Sequence, residues 1–181
     1  MTISLTGFMG CGKSSVGREL AARLGARFVD LDAEIAARSG RTIPELFRDG
    51  EDAFRAVELA VLRTLLDEAD AAGGTTVLAL GGGALTLPAA RELVFSRTEC
   101  VYLRTRLDTI RRRLGAQDAS RPLFRDADAL YARREPVYAR AGYIVDTDDK
   151  NPAGVAEEII YRMSSRSCMS RTRSWMDELP R

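Results

Sequence analysis

The stretch Gly7-Phe8-Met9-Gly10-Cys11-Gly12-Lys13-Ser14 decides the fold. It follows a short β-rich run, Ile3 to Thr6, and precedes Ser14 to Leu24, where Val16, Leu20 and Leu24 recur at helical spacing. Strand, glycine loop and helix in that order are the context that the pattern G-x-x-x-x-G-K-[ST] requires. Glycines let the backbone curl until successive N–H groups point inward at phosphate oxygens, and the helix that starts near Lys13 adds its positive end. Lys13 is placed to neutralise the β and γ phosphates, and the Ser14 hydroxyl to ligate Mg²⁺. Gly10, Cys11, Gly12 and Ser15 complete the expected nucleotide cradle. Cys11 stands at a variable position of the loop, where a small side chain needs no chemistry of its own; the helix N-terminus would also suit a thiol poised for oxidation.

Outward from this loop, apolar runs and helical periods alternate. Phe28 to Leu31, Thr76 to Leu80, Glu99 to Leu103 and Tyr143 to Val145 read as further strands, and Thr76 to Leu80 lacks polar alternation, as a central parallel strand covered on both faces should. Helices are expected at Ala33 to Arg38, from a Thr42 cap through Phe47, at Glu51 to Ala71, Pro88 to Phe95, Leu107 to Leu114, Asp126 to Ala141 and Pro152 to Met163. Five strands alternating with helices predict an α/β fold of the phosphate-loop NTPase type: three layers, a five-stranded parallel sheet, and ligands at the carboxyl ends of the strands. Gly115 to Asp126 is polar and aperiodic and reads as a mobile lid; Ser164 to Arg181 is rich in serine and arginine and reads as a flexible tail beyond a domain of residues 1–163.

Composition narrows the chemistry. The chain has 181 residues, 45% of them apolar and 29% charged, and no run approaches the roughly 20 apolar residues that span a bilayer. Net charge is +1, so any electrostatic recognition must be local. Histidine is absent, which excludes Ser/His/Asp triads and imidazole bases. Cys11, Cys100 and Cys168 show neither metal-ligand spacing nor a paired framework. A cytoplasmic protein without nucleic-acid or membrane partners is expected. Of 27 basic residues only Lys13 and Lys150 are lysine, and Lys13 sits where a compact ammonium suits the chemistry better than a planar guanidinium.

A motor ATPase would end a buried strand on a metal-supporting carboxylate, but Val77-Leu78-Ala79-Leu80 ends in Gly81-Gly82-Gly83. The acids stand instead at the second strand, as Asp30-Leu31-Asp32. One of them would order the metal's water shell and the other would accept a hydrogen bond from an attacking hydroxyl.

The chain resembles the shikimate kinase family from Ile3 to about Met163. The likeness rests on the glycine loop, Asp30-Leu31-Asp32, Ile43-Pro44-Glu45-Leu46-Phe47, Gly50-Glu51 through Phe54-Arg55 and Glu58, Gly81-Gly82-Gly83-Ala84, Arg121-Pro122-Leu123 and Arg134-Glu135-Pro136-Val137-Tyr138, in order and approximate spacing. The resemblance implies transfer of the ATP γ-phosphate to the 3-hydroxyl of shikimate, with Mg²⁺ as cofactor; a fold like the nucleoside-monophosphate kinases and a monomer are expected, with the oligomeric state left open by the sequence. The resemblance further implies Asp32 as the group on the acceptor hydroxyls and the proposed base, Asp30 on the magnesium water shell, and Arg55 and Arg134 on the shikimate carboxylate. Gly81, Gly82 and Gly83 form its turn against the acceptor, and Arg121 is its lid arginine over the transferring phosphoryl. Asp148 to Pro152, with Lys150, matches the adenine-contacting loop. One of Arg111, Arg112 and Arg113 should lie on the adenine, and Arg112 is the first choice. Fixed cations for a carboxylate and acceptors for hydroxyls are what a small carboxylated polyol requires.

Taken singly these residues carry little: an Asp-x-Asp also caps helices, and Arg55 or Arg134 alone suits any helix surface. A related kinase of gluconate or of a nucleoside monophosphate would not call for Asp32, Arg55, the glycine turn and Arg134 together. A nucleotide-binding regulatory module would not need Lys13, Ser14, Asp32 and Arg121 intact.

Overall fold

The computed structural model describes residues 1–114 and 127–177, with side chains up to residue 165 in the last helix. Five parallel strands form one sheet: β1 (Thr2–Thr6), β2 (Arg27–Asp30), β3 (Thr76–Ala79), β4 (Glu99–Arg104) and β5 (Tyr143–Asp146), in the order β2-β3-β1-β4-β5. The central strand is thus the one that feeds the phosphate loop. Its register aligns Leu5 with Ala79 on one side and Thr6 with Tyr102 on the other, so the loop leaves the sheet between β3 and β4. That is the crevice where a parallel sheet reverses its winding and ligands bind.

Among the described residues, eight α-helices cover the sheet: α1 (Lys13–Leu24), α2 (Leu31–Ser39), α3 (Ile43–Arg48), α4 (Glu51–Ala72), α5 (Pro88–Arg97), α6 (Leu107–Leu114), α7 (Ala127–Tyr138) and α8 (Pro152–Asp177). The period-2 alternation of strand side chains sorts the core into two halves. Ile3, Leu5, Val77, Val101, Leu103 and Val145 pack with Val16 and Leu20 of α1 and Val155 and Ile159 of α8. Val29, Leu78, Cys100 and Tyr102 face the other way, onto Leu62, Leu65 and Leu66 of α4 and Val94 of α5. The three expected layers are therefore present. Leu62 and Leu66 are at most 1% exposed; burial of each contributes about 2 kcal/mol.

Most element ends shift by one to three residues from the sequence reading, and two of the differences matter. β2 ends at Asp30 rather than Leu31, because the Asp30 carboxylate accepts from the N–H groups of Asp32 (3.2 Å) and Ala33 (3.4 Å) and so starts α2 one residue after the strand. Asp32 consequently sits in the first turn of a helix. α8 continues to Asp177, well past Met163, so the backbone of the tail read as flexible is helical to that point. The lid read at Gly115 to Asp126 lies outside the described residues. Thr42 caps α3 as expected, in a reciprocal box with Glu45. Among the described residues no helix is long and apolar enough to cross a membrane.

Candidate active site

The phosphate loop owes its shape to three glycines in the left-handed half of φ space: Gly7 (φ 142°), Gly10 (φ 75°) and Gly12 (φ 101°). Gly7 is also hemmed in, since a Cβ there would stand 2.7 Å from the Leu103 carbonyl oxygen and 2.9 Å from Cys11 Sγ. Lys13 folds back over the loop and donates to the carbonyls of Gly7 (2.9 Å) and Phe8 (3.1 Å). Cys11 is buried, with its sulfur 3.8 Å from Lys13 Nζ. Ser15 stands exposed in the first turn of α1 and lines the same cleft of about 400 Å³ as Lys13, Ser14, Asp30, Asp32 and Gly82.

The acids take up separate positions. Ser14 Oγ donates to Asp30 Oδ2 at 2.6 Å, so the Asp30 carboxylate is tied to the phosphate-loop hydroxyl. No cluster of three or more acidic or thiol ligands exists among the described residues. That donor set fits Mg²⁺, which keeps several waters and takes the rest of its shell from phosphate oxygens and one or two protein oxygens. Asp32 opens onto the cleft, yet the protein packed around it desolvates the carboxylate and raises its pKa. Asp30 adds to the rise, while Lys13 and Arg55 pull against it. A carboxylate raised in this way is better matched to accepting a proton near neutrality than an ordinary surface aspartate.

Across Gly81-Gly82-Gly83 lies the cationic half of the site. Arg55 is 8% exposed and Glu58 2%. They pair within α4, Nη1 to Oε2 at 2.6 Å, and Glu51 adds a second contact at 3.1 Å. Burial presses the Arg55 pKa down, but Glu58 and Glu51 outweigh it and hold it above its ordinary value. Burial also acts to neutralise Glu58; against a guanidinium that cannot lose its proton, the pair stands as an ion pair. Arg134 on α7 is 6% exposed and donates to the Gly82 carbonyl at 3.2 Å, where burial lowers its pKa. Tyr138 donates to the same carbonyl.

Gly81 and Gly83 leave space that neighbouring side chains fill. A Cβ on Gly81 would lie 2.8 Å from Asp32 Oδ1 and 2.9 Å from Glu58 Oε1; one on Gly83 would lie 2.3 Å from Arg55 Nη2. At Gly82 the Cβ position is 3.4 Å from the Met9 backbone nitrogen, so the turn abuts the phosphate loop. Among the described residues, Arg55 Nε, Arg134 Nε and Glu58 Oε1 are buried without a hydrogen-bond partner. Two neighbouring guanidinium groups that each keep a free donor have the chemistry a carboxylate ligand would need.

On the nucleotide side the three arginines of α6 diverge. Arg111 pairs with Asp128 at 2.6 Å, and Arg112 turns back to Thr109 Oγ1 at 3.1 Å. Arg113 alone reaches the phosphate loop: it donates to the Cys11 carbonyl (3.4 Å) and to the Thr147 carbonyl, and it lines the cleft. Arg113, rather than the first-choice Arg112, therefore bridges the loop and the Asp148 to Pro152 segment. Lys150 contacts the Asp146 carbonyl (3.1 Å) and Glu158, away from the cleft-lining residues. Arg121 lies outside the described residues.

Sequence reasoning gave no role to Glu58, Tyr138 or Thr147. The i,i+3 spacing of Arg55 and Glu58 was a visible signal for the first; nothing local marks the other two.

The family model described as Shikimate kinase matches residues 9–164. A shikimate kinase from Bradyrhizobium diazoefficiens is 40% identical over 174 residues, 92% of this chain and 81% of that protein. One from Mycobacterium avium is 42% identical over 177 residues, covering 93% of this chain and 97% of the relative. Among solved structures, shikimate kinase from Acinetobacter baumannii in complex with shikimate superposes with a TM-score of 0.81 at 35% identity, over 91% of this chain and 93% of that one.

Proposed function

The chain belongs to the shikimate kinase family, and from that membership we propose how its own residues perform the reaction. The activity is ATP-dependent phosphorylation of a shikimate hydroxyl, in aromatic amino acid biosynthesis. The acceptor atom in this reading is the 3-hydroxyl. Its carboxylate lies between Arg55 and Arg134, and its ring hydroxyls face Asp32 across the glycine turn. The contact that carries the reading is at Gly82, which accepts from Arg134 and Tyr138 while a Cβ placed on it would stand 3.4 Å from the Met9 nitrogen of the phosphate loop. A carboxylate anchor and a phosphate cradle that share one residue hold acceptor and donor side by side.

Phosphoryl transfer needs alignment and charge compensation more than covalent chemistry. ATP phosphates occupy the loop N–H groups, and Lys13, now resting on the carbonyls of Gly7 and Phe8, swings onto the β and γ phosphates. Arg113 takes the adenine side, with the Asp148 to Pro152 segment. Ser14 would hold Mg²⁺ directly and Asp30 through water; when bound, the metal neutralises charge between the β and γ phosphates. Asp32 orients the attacking hydroxyl and receives its proton. Arg121, outside the described residues, is the cation this reading assigns to charge on the transferring group. ATP and shikimate are the small-molecule partners.

ADP release followed with and without shikimate tests the reading. Release should depend on shikimate and yield shikimate 3-phosphate in equal amount. Shikimate-independent release, or none, would sink it.

A further inference from the structure

α7 carries Tyr131, Arg134 and Tyr138 at i, i+3 and i+7, a spacing that puts them on one stripe of the helix. Arg134 and Tyr138 end on Gly82, at the acceptor turn. Tyr131 ends elsewhere, on the nucleotide side. Its ring stands edge-on to Phe8 of the phosphate loop, with centroids 5.4 Å apart and planes at 66°. The Phe8 side chain is 1% exposed, and its carbonyl is one of the two that hold Lys13. The Tyr131 hydroxyl donates to the Thr105 carbonyl at 3.1 Å. From there a chain of contacts returns to the loop: Thr105 and Thr147 share a hydroxyl–hydroxyl bond of 2.6 Å, the Thr147 carbonyl accepts from Arg113, and Arg113 donates to the Cys11 carbonyl. Tyr131 therefore grips the phosphate loop twice, by ring and by relay, from the helix that holds the acceptor's cation.

The geometry points to Tyr131 as a positioning residue that fixes the separation between the phosphate loop and the Arg134 anchor, and so the in-line distance between donor and acceptor. Resting on the acceptor placement given above, this assigns Tyr131 no contact with substrate. An edge-to-face aromatic pair is a stiff spacer, because ring sliding forfeits both packing and quadrupole attraction. Loss of the ring lets Phe8 and α7 drift relative to each other, and a misplacement of about 1 Å costs on the order of 10²-fold in rate without requiring weaker binding of either substrate. A misaligned acceptor also leaves the bound γ-phosphate to water.

The test compares wild type with Tyr131→Leu, Tyr131→Phe and, from the other side of the contact, Phe8→Leu. For each, kcat, both KM values and the ratio of ADP released to shikimate 3-phosphate formed are measured with MgATP. Tyr131→Leu and Phe8→Leu should lower kcat by about 10–100-fold while each KM moves less than about threefold, and the ADP-to-product ratio should rise above one. Tyr131→Phe, which keeps the ring, should recover most of kcat and hold the ratio at one. A general loss of structure would lower both products together and leave their ratio at one. If either leucine variant keeps kcat within about twofold, or loses it with the ratio unchanged, the assignment is overturned. If the leucine variant at Tyr131 does not fold, Phe8→Leu decides alone. Failure of wild type to consume shikimate would count against the acceptor placement instead.

Discussion

Glu58 Oε2 holds Arg55 Nη1 at 2.6 Å, one turn along the same helix, with both side chains buried. On the proposed reading this pair orients the guanidinium meant for the acceptor's carboxylate, because among the described residues Arg55 keeps Nε free while its other nitrogens are taken by Glu58 and Glu51. Removing one member of a buried pair strands the other's charge, at about 3–5 kcal/mol. Glu58→Ala should therefore lower the unfolding free energy measured by denaturant titration by that amount and raise the shikimate KM. Glu58→Gln, which keeps the volume and an acceptor oxygen, should lose less than half as much stability. Equal losses for both variants would show that charge is not what Glu58 supplies.

Gly83 has φ −107°, so its backbone would accept alanine without strain; what it lacks is room. A methyl there would stand 2.3 Å from Arg55 Nη2 and would push the guanidinium off its seat. Steady-state kinetics of Gly83→Ala should show the shikimate KM raised roughly tenfold, the loss of about one charge-assisted hydrogen bond, with the ATP KM unchanged.

Asp32 carries opposite consequences for stability and for activity. Its folded pKa is raised, so between the unfolded and folded values the native state binds more protons than the unfolded chain, and stability falls as pH rises through that window. Above it the cost is fully present. Asp32→Asn should therefore raise Tm at pH 7, more than it does near pH 3, while kcat drops about 10²–10⁴-fold through loss of the base. The acidic limb of wild-type kcat/KM should lie above the ordinary aspartate value. A Tm gain independent of pH would rule out ionisation as its cause.

Arg113 and Arg112 are neighbours with different partners, which makes them a paired test. Arg113→Ala removes the bridge from Cys11 to Thr147 and should raise the ATP KM roughly tenfold or more, the usual cost of a charged hydrogen-bonding group. Arg112→Ala, whose side chain turns to Thr109, should leave it within about twofold, as surface changes do. Nucleotide titrations of the two variants settle the assignment.

Much of the architecture was legible because it is encoded in local chemistry. The glycines at 7, 10 and 12 had to take positive φ, and Thr76 to Leu80 had to be covered on both faces. Element ends were less legible where a side chain decided them: whether Leu31 closes a strand or opens a helix depends on how the Asp30 carboxylate turns. Of the expected site residues, Lys13, Ser14, Asp30 and Asp32 line one cleft, and Arg55 and Arg134 flank the glycine turn beside it. Lys150 does not join them, for its ammonium is taken by Asp146 and Glu158.

The sequence by itself determined the phosphate loop and the parallel sheet, and its family resemblance singled out the acids and arginines around Gly81 to Gly83. These follow from residue type, period and motif order, all of which are written along the chain. Only the tertiary structure decided that Arg113 and not Arg112 reaches Cys11, that Tyr138 and Arg134 share the Gly82 carbonyl 56 and 52 residues away, and that Tyr131 lies against Phe8. Those contacts depend on how α6 and α7 rotate as they pack. A turn of 100° per residue then separates neighbours in sequence onto different faces, and no local pattern records which face meets the loop.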